Sequence, residues 1–251
     1  MKYDNNITLC LTAGGRPDLL EKTLRSLLAA NSFAKIIIAN DFGDEASTAI
    51  AKRLCPDATI IHHKWRKGQL ATVDEMYSLV ETQYIFHCED DWEFDRVPFL
   101  NRCFDALHAL ENVSVVSVRS SACLYRHFSN SPYEHLGEPT VIDVGGTTAM
   151  QLKIDDLEAW ASFTFNPSLT RRATWQSIGG FNSLNDEHSI DLRYRAKGLT
   201  TAYLVPGFCH HIGDDRHIHD PFLPVGEKSR DPFRIAKTWA RQAVQRIVPF
   251  R

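Results

Sequence analysis

No apolar run in the sequence approaches the roughly 18 residues that cross a bilayer, so a membrane-spanning chain is not expected. The opening residues, Met1-Lys2-Tyr3-Asp4-Asn5-Asn6, lack the apolar core of a signal peptide. Excess positive charge is also missing. The formal net charge is −3, and no basic field speaks for nucleic acid as a partner. The six cysteines, at positions 10, 55, 88, 103, 123 and 209, include no closely spaced pair. That speaks against a zinc or disulfide framework and for a reduced, cytoplasmic setting. There is no internal repeat and no low-complexity linker, so one continuous domain over residues 1–231 is expected.

What is present is a chain of 251 residues, 43% of them hydrophobic, which suffices for a sizeable core. Residues 7–12, 34–39, 58–62 and 84–88 read as short buried strands. Residues 18–30, 47–54 and 68–81 between them read as helices. In the first helix Leu19, Leu20, Leu24, Leu27 and Leu28 share one face, and Pro17 suits its first position. Strand and helix alternating at this rhythm predict an α/β fold, a mostly parallel central sheet flanked by helices. The second half is less regular. A helix is expected at 97–110, a strand at 113–118, an irregular excursion at 122–139 and a strand at 141–144. A short strand and turn follow at 163–167, then helices at 171–178 and 186–197 that stop at glycines, and a strand at 200–205.

The most informative stretch is Tyr84-Ile85-Phe86-His87-Cys88-Glu89-Asp90-Asp91-Trp92, an apolar run that ends in three adjacent acids. Three carboxylates cannot all be buried without partners. They belong at a strand mouth, facing water, a metal or another cation. Mg²⁺ and Mn²⁺ take oxygen ligands, commonly one or two carboxylates completed by substrate phosphates. A solvated acidic turn is the plain alternative. In parallel sheets, ligands bind beyond the carboxyl ends of the strands. The loops at 12–16, at Asp41 and at 89–91 would all lie along that edge.

The order of these features resembles the family 2 glycosyltransferases, which have the GT-A fold. The resemblance rests on Thr12-Ala13-Gly14-Gly15-Arg16-Pro17 after the first strand and Asn40-Asp41-Phe42-Gly43 after the second. Lys67-Gly68 stands before a helix, and Glu89-Asp90-Asp91 takes the place of the family's DXD motif. Arg171-Arg172, Ile178-Gly179-Gly180-Phe181, Asp186-Glu187-His188-Ser189-Ile190-Asp191-Leu192 and His211-Ile212-Gly213 follow. The matching pieces run from Ile7 to about Gly213.

The resemblance implies transfer of a sugar from a nucleotide-diphosphate donor, UDP- or GDP-linked, to an acceptor hydroxyl with inversion. It places the nucleotide-binding half at 1–91 and the acceptor half at 92–231. Asp91 would contact a divalent Mn²⁺ or Mg²⁺. Glu89 and Asp90 would position the ribose or assist the ion. Asp41 would accept from the base, and Thr12, Ala13, Gly14, Arg16 and Lys67 would line the nucleotide. His211 would complete the metal's ligands and so favour Mn²⁺. An inverting enzyme needs a general base. Glu187 is expected in that role, with Asp191, one helical turn on, as its neighbour or an acceptor contact. The family's usual acid-Asp pairing is broken by His188, so the two acids remain interchangeable at this point. Asp186 as a helix N-cap with Glu187 in the first turn is the structural alternative.

The segment 232–251 mixes Trp239, Val244, Ile247 and Val248 with Arg234, Lys237, Arg241, Arg246 and Arg251. It reads either as a peripheral contact to an anionic membrane, where lipid-linked acceptors lie, or as packing on the domain or a second subunit. A glycan or a small molecule are the other acceptor classes. Two competing readings stand. Leu11-Thr12-Ala13-Gly14-Gly15-Arg16 partly echoes the loop of sugar-phosphate nucleotidyltransferases, and a catalytically inactive carbohydrate-binding protein could share the fold.

Overall fold

The computed structural model describes residues 6–120, 140–144, 146–152 and 161–213. The expected excursion at 122–139 and the basic segment at 232–251 lie outside the described residues. Strand β1 (Ile7–Ala13) is almost wholly buried, as a continuous apolar run in a two-sided parallel sheet should be. Helix α1 (Pro17–Leu28) begins with proline at its first turn and buries Leu19, Leu20, Leu24 and Leu27. Next come β2 (Lys35–Asn40), α2 (Glu45–Leu54), β3 (Thr59–His62), α3 (Gln69–Ser78) and β4 (Tyr84–Glu89). The Asp44 carboxylate caps α2 by accepting from the Ser47 amide at 2.7 Å. A short β5 (Trp92–Phe94), then α4 (Leu100–Ala109) and β6 (Val113–Ser117), complete the first half.

The second half contributes β7 (Thr140–Val144), β8 (Thr147–Gln151), β9 (Ser168–Arg171), α5 (Arg172–Ser177), α6 (Glu187–Arg195), β10 (Thr200–Val205) and β11 (Cys209–His211). The main sheet has the order β3-β2-β1-β4-β9-β6-β10-β8-β7, and β11 pairs with β5 in a separate ribbon. Strands β9 and β8 run against the rest, so the sheet is mostly parallel. The carboxyl ends of β1, β2, β3 and β4 share one edge, as the alternation predicts.

Side-chain alternation divides the core between the two faces. Ile7, Leu9 and Leu11 of β1, with Tyr84, Phe86 and Cys88 of β4, pack with Leu20, Leu24, Phe104 and Leu107 from α1 and α4. Cys10 and Ile85 pack the other way, with Val73, Met76 and Tyr77 of α3 and Ile190 and Tyr194 of α6. Glu89 shares the alternation of Ile85 and so opens toward the α3 and α6 side.

Several boundaries differ from those expected. Helix α3 is shorter than 68–81, because Gly68 sits at a φ of 89° and caps the helix instead of joining it. Strands β5, β8 and β11 have no counterpart in the sequence reading. The strand expected at 163–167 lies instead at Ser168–Arg171. Phe163 and Phe165 are buried against Phe181. The amides of Ser162, Phe163 and Phe165 are taken by the carboxylates of Asp191 and Glu187. A backbone whose donors point at side chains has none left for a strand ladder.

Candidate active site

The acidic turn after β4 is held from both sides. Asp90 is 1% exposed. Its carboxylate accepts from the Gly14 amide at 2.6 Å and pairs with the Arg16 guanidinium. The Thr23 hydroxyl donates to the Asp90 carbonyl at 2.8 Å. Asp90 therefore fixes the turn after β1 against the turn after β4. Arg16 reaches on to Asp91 Oδ2 at 2.7 Å. Expected to fork to a nucleotide, Arg16 here forks to two carboxylates. Thr12 and Ala13 close β1 beside Glu89, with Thr12 paired to Glu89 in register.

Asp91 Oδ2 also lies 3.0 Å from His211 Nε2. Ribbon β5–β11 sets this contact, since His211 pairs with Trp92 and the two rings lie 5.1 Å apart. The Ile212 amide donates to the Asp91 carbonyl at 2.8 Å. At Gly213, a Cβ would come within 2.6 Å of Asp91 Oδ2. The spacing His211-Ile212-Gly213 is thus explained by close approach: imidazole on the carboxylate, no side chain two residues later. His210, the next residue along the ribbon, faces Glu93 instead.

Asp91 Oδ1 is buried and has no hydrogen-bond partner among the described residues. An orphaned carboxylate oxygen beside an imidazole suits a hard or borderline divalent cation. No group of three or more His, Cys, Asp and Glu side chains that could hold a metal occurs among the described residues. The pair Asp91 and His211 would supply only part of a coordination shell, as at sites completed by substrate phosphates.

Electrostatics separate the acids. Burial raises Asp91, but the hydrogen bond from His211 and the charge of Arg16 hold its carboxyl below the usual aspartate value. Burial pushes Asp90 up to about 6 against the pull of Arg16 and the Gly14 amide. Glu89 is pushed up to about 8, first by burial and then by the charges of Asp91 and Glu187. Its oxygens accept from Gln69 Nε2 at 3.0 Å and, more weakly, from Trp92 Nε1 at 3.5 Å.

Glu187 begins α6, directly after the Asp186 cap, whose carboxylate accepts from the Ser189 amide at 2.8 Å. The cap expected as an alternative coexists with a placed Glu187. Glu187 Oε1 accepts from the Phe165 amide at 2.9 Å. Burial raises its pKa, aided by Asp191 and Asp186 and opposed by the Phe165 amide and Thr164. Asp191 is fully buried, and Oδ1 accepts from the amides of Ser162 at 2.7 Å and Phe163 at 3.0 Å. Its other oxygen, Oδ2, is buried without a hydrogen-bond partner among the described residues. Asp191→Ala strips two buried amides of their acceptor, each worth about 1–3 kcal/mol. Urea unfolding should show a loss of about 2 kcal/mol or more.

Asp41 does not face open solvent. Oδ1 accepts from the Lys67 amide at 2.8 Å and meets His63 Nδ1 at 2.8 Å, and Oδ2 accepts from the Gly68 amide at 3.0 Å. Lys67 Nζ lies 2.7 Å from Glu75. Asp74 lies on α3, and an acid on a helix ordinarily marks a solvated face. Its carboxylate accepts from Trp175 Nε1 at 2.6 Å and from the amides of Phe181 at 2.8 Å and Asn182 at 2.6 Å. Gly180 has a φ of 81°, and a Cβ there would lie 2.8 Å from Asp74 Oδ2. Asp74 is therefore what the Gly-Gly-Phe turn closes upon. A groove of about 730 Å³ runs beside it, lined by Lys67, Glu75, Arg172, Trp175 and Asn182. None of Glu89, Asp90 and Asp91 lines that groove.

The model of the family described as Glycosyl transferase family 2 matches residues 8–157. The chain belongs to glycosyl transferase family 2. No curated protein matches the sequence of this family 2 member. Among solved structures it is similar to the mannosyltransferase PcManGT from Pyrobaculum calidifontis, in complex with GDP-Man and Mn²⁺. That match has 13% identity and a TM-score of 0.56, covering 78% of this chain and 53% of that one. It is similar also to S. aureus TarS 1–349, at 8% identity and a TM-score of 0.56, covering 84% and 61%. A longer TarS structure gives 8% identity and a TM-score of 0.57, covering 82% and 36%. The chain thus spans roughly a third to three fifths of these proteins. The fold is that of the GT-A glycosyltransferases. Among the described residues no helix is long and apolar enough to cross a membrane.

Proposed function

We propose that this family 2 glycosyltransferase moves a hexose-like sugar from a nucleotide-diphosphate donor to an acceptor hydroxyl, inverting the anomeric centre with the help of a divalent metal. The observation that carries the reading is Asp91: a buried carboxylate with one orphaned oxygen, braced by His211 and Arg16 at the carboxyl edge of the sheet. Asp91 and His211 would hold Mn²⁺ or Mg²⁺, which when bound offsets the charge of the departing diphosphate. The Gly14–Arg16 turn borders the diphosphate, and Glu89 faces the ribose and sugar. Glu187 takes the acceptor proton, oriented by the Phe165 amide. GDP-Man in one structural neighbour supports a GDP- or UDP-linked donor. The acceptor, a glycan, a lipid-linked sugar chain or a small molecule, would bring its hydroxyl to Glu187.

We place the catalytic domain at 1–231, in the cytoplasm. The basic segment after Asp231 would touch an anionic membrane face. A chain ending at Asp231 should then stay folded but no longer co-sediment with anionic vesicles; unchanged sedimentation would remove the membrane contact.

The function is tested by a thermal-shift panel of nucleoside diphosphates with and without Mn²⁺, because a ligand that binds only the native state raises the melting temperature. A rise that needs both nucleotide and metal supports the reading. No rise with any of them rejects it. A sugar-phosphate nucleotidyltransferase would instead release pyrophosphate from a nucleoside triphosphate. A shift without metal-dependent donor hydrolysis would mark an inactive binding protein.

A further inference from the structure

The groove beside Asp74 lies on the flank of the sheet, between α3 and α5, and none of the proposed catalytic acids lines it. One wall is a stripe of α3 through Ala71, Asp74 and Ser78, about 10 Å from first to last at the helical rise. The other wall is α5 with the Gly179–Gly180 turn. The two ends belong to opposite edges of the sheet. Lys67 stands at the carboxyl edge, where its amide donates to Asp41. Arg172 stands at the other edge, where its amide donates to the Gln83 carbonyl at 2.9 Å, just before β4.

The acids of the lining are already occupied. Asp74 accepts from Trp175 Nε1 and from the amides of Phe181 and Asn182. Glu75 accepts from Lys67 and meets His63. What remains for a ligand is a guanidinium, two side-chain amides and an indole. Arg172 Nε is buried without a hydrogen-bond partner among the described residues. Gln176 and Asn182 are exposed, and a side-chain amide both donates and accepts. The Trp175 indole is fixed by its bond to Asp74 at 2.6 Å and by an edge contact with the Tyr77 ring at 5.7 Å. A fixed ring loses little freedom when a ligand packs on it. Dispersed polar groups, one aromatic surface and no unpaired acid suit sugar rings. Hydroxyls meet the amides and the guanidinium, and the C–H face of a ring meets the indole. The volume of about 730 Å³ falls in the range of sites for drug-sized ligands, about 300–1,000 Å³, and exceeds what a single sugar ring fills.

We infer that this groove is a second carbohydrate site, which holds a stretch of a glycan chain away from the reacting centre. The inference deepens the transferase reading and rests on it for the origin of the glycan: the acceptor is a chain of sugars, not a small molecule. A chain held in the groove raises the effective concentration of its free end at the sheet edge, with no new contact to the catalytic acids.

The test is calorimetric titration of the full chain with linear hexasaccharides of glucose, mannose and N-acetylglucosamine and with the three monosaccharides, all without nucleotide or metal. At least one hexasaccharide should bind, and its monosaccharide should bind about 10-fold or more weakly, since each further ring adds hydrogen bonds of its own. Arg172→Ala should weaken the hexasaccharide by about 10- to 150-fold, the usual worth of a hydrogen bond to a charged group. Gln176→Ala, at an exposed position, should weaken it by about 2- to 10-fold at an unchanged melting temperature. UDP and GDP with Mn²⁺ should bind both variants as they bind the unaltered chain. Failure of all three hexasaccharides to bind overturns the inference. Binding that neither variant weakens also overturns it, since the glycan would then lie elsewhere. If Arg172→Ala melts at a lower temperature, Gln176→Ala decides. An unaltered chain that binds nucleotide with Mn²⁺ but no hexasaccharide overturns the groove alone. One that binds a hexasaccharide but no nucleotide overturns the donor reading and keeps the groove.

Discussion

Glu187→Gln is expected to bind nucleoside diphosphate and Mn²⁺ as the unaltered chain does and to transfer sugar slower by on the order of 100-fold or more, the usual worth of a positioned base. The substitution keeps an oxygen for the Phe165 amide, which Glu187 now holds at 2.9 Å, so the start of α6 should keep its shape. What it removes is the ability to take a proton. A base removed after donor binding lowers kcat and spares donor affinity. The pH profile gives a second readout. Burial, with Asp191 and Asp186, holds the Glu187 pKa above the ordinary glutamate value of 4.5. The base works only when ionised, so turnover should fall as pH drops through that raised pKa and level off above it. Glu187→Gln should lose that limb. Asp191→Asn should cost less turnover, because Asp191 is fully buried and its Oδ1 accepts from the amides of Ser162 and Phe163. If Asp191→Asn were slower than Glu187→Gln, the base would have to be reassigned. Normal transfer by both would remove the inverting mechanism.

Asp91→Asn should abolish most of the Mn²⁺-dependent gain in nucleoside-diphosphate affinity. Loss of a mere outer-shell partner costs metal affinity about 10- to 100-fold, and a direct ligand should cost at least that. The fold should survive, because Arg16 keeps its pair with Asp90, and Gly14 keeps its hydrogen bond to the same carboxylate. The measurement is the melting temperature with nucleoside diphosphate and Mn²⁺ against nucleoside diphosphate alone. An unchanged metal-dependent shift in Asp91→Asn would place the cation elsewhere.

Much of the site was legible because its chemistry is local. A buried strand that runs into three acids can be read from adjacent residues, and alternation puts the ends of β1, β2 and β4 on one edge. What the acids do was not legible. Asp90, Arg16 and Asp41 read equally well as ligand contacts, yet each is committed to partners 22 to 76 positions away. Asp74 carries no sequence signal, and only the closure of a turn over a hundred residues away gives it a role.

The sequence by itself determined the layers: runs of period two and stripes of helical spacing must bury their apolar sides, and only an α/β sandwich does so in this order. It also determined that carboxylates gather at a strand mouth, since a buried strand cannot hold three unpaired charges in its interior. The tertiary structure alone decided which carboxylates keep an unpartnered oxygen, which are sealed from water and which hold a loop. Those outcomes depend on desolvation and on donors delivered by distant segments: His211 to Asp91, Phe165 to Glu187, Lys67 to Asp41. Burial and pairing are properties of the folded neighbourhood, and no spacing between neighbours in the chain encodes them.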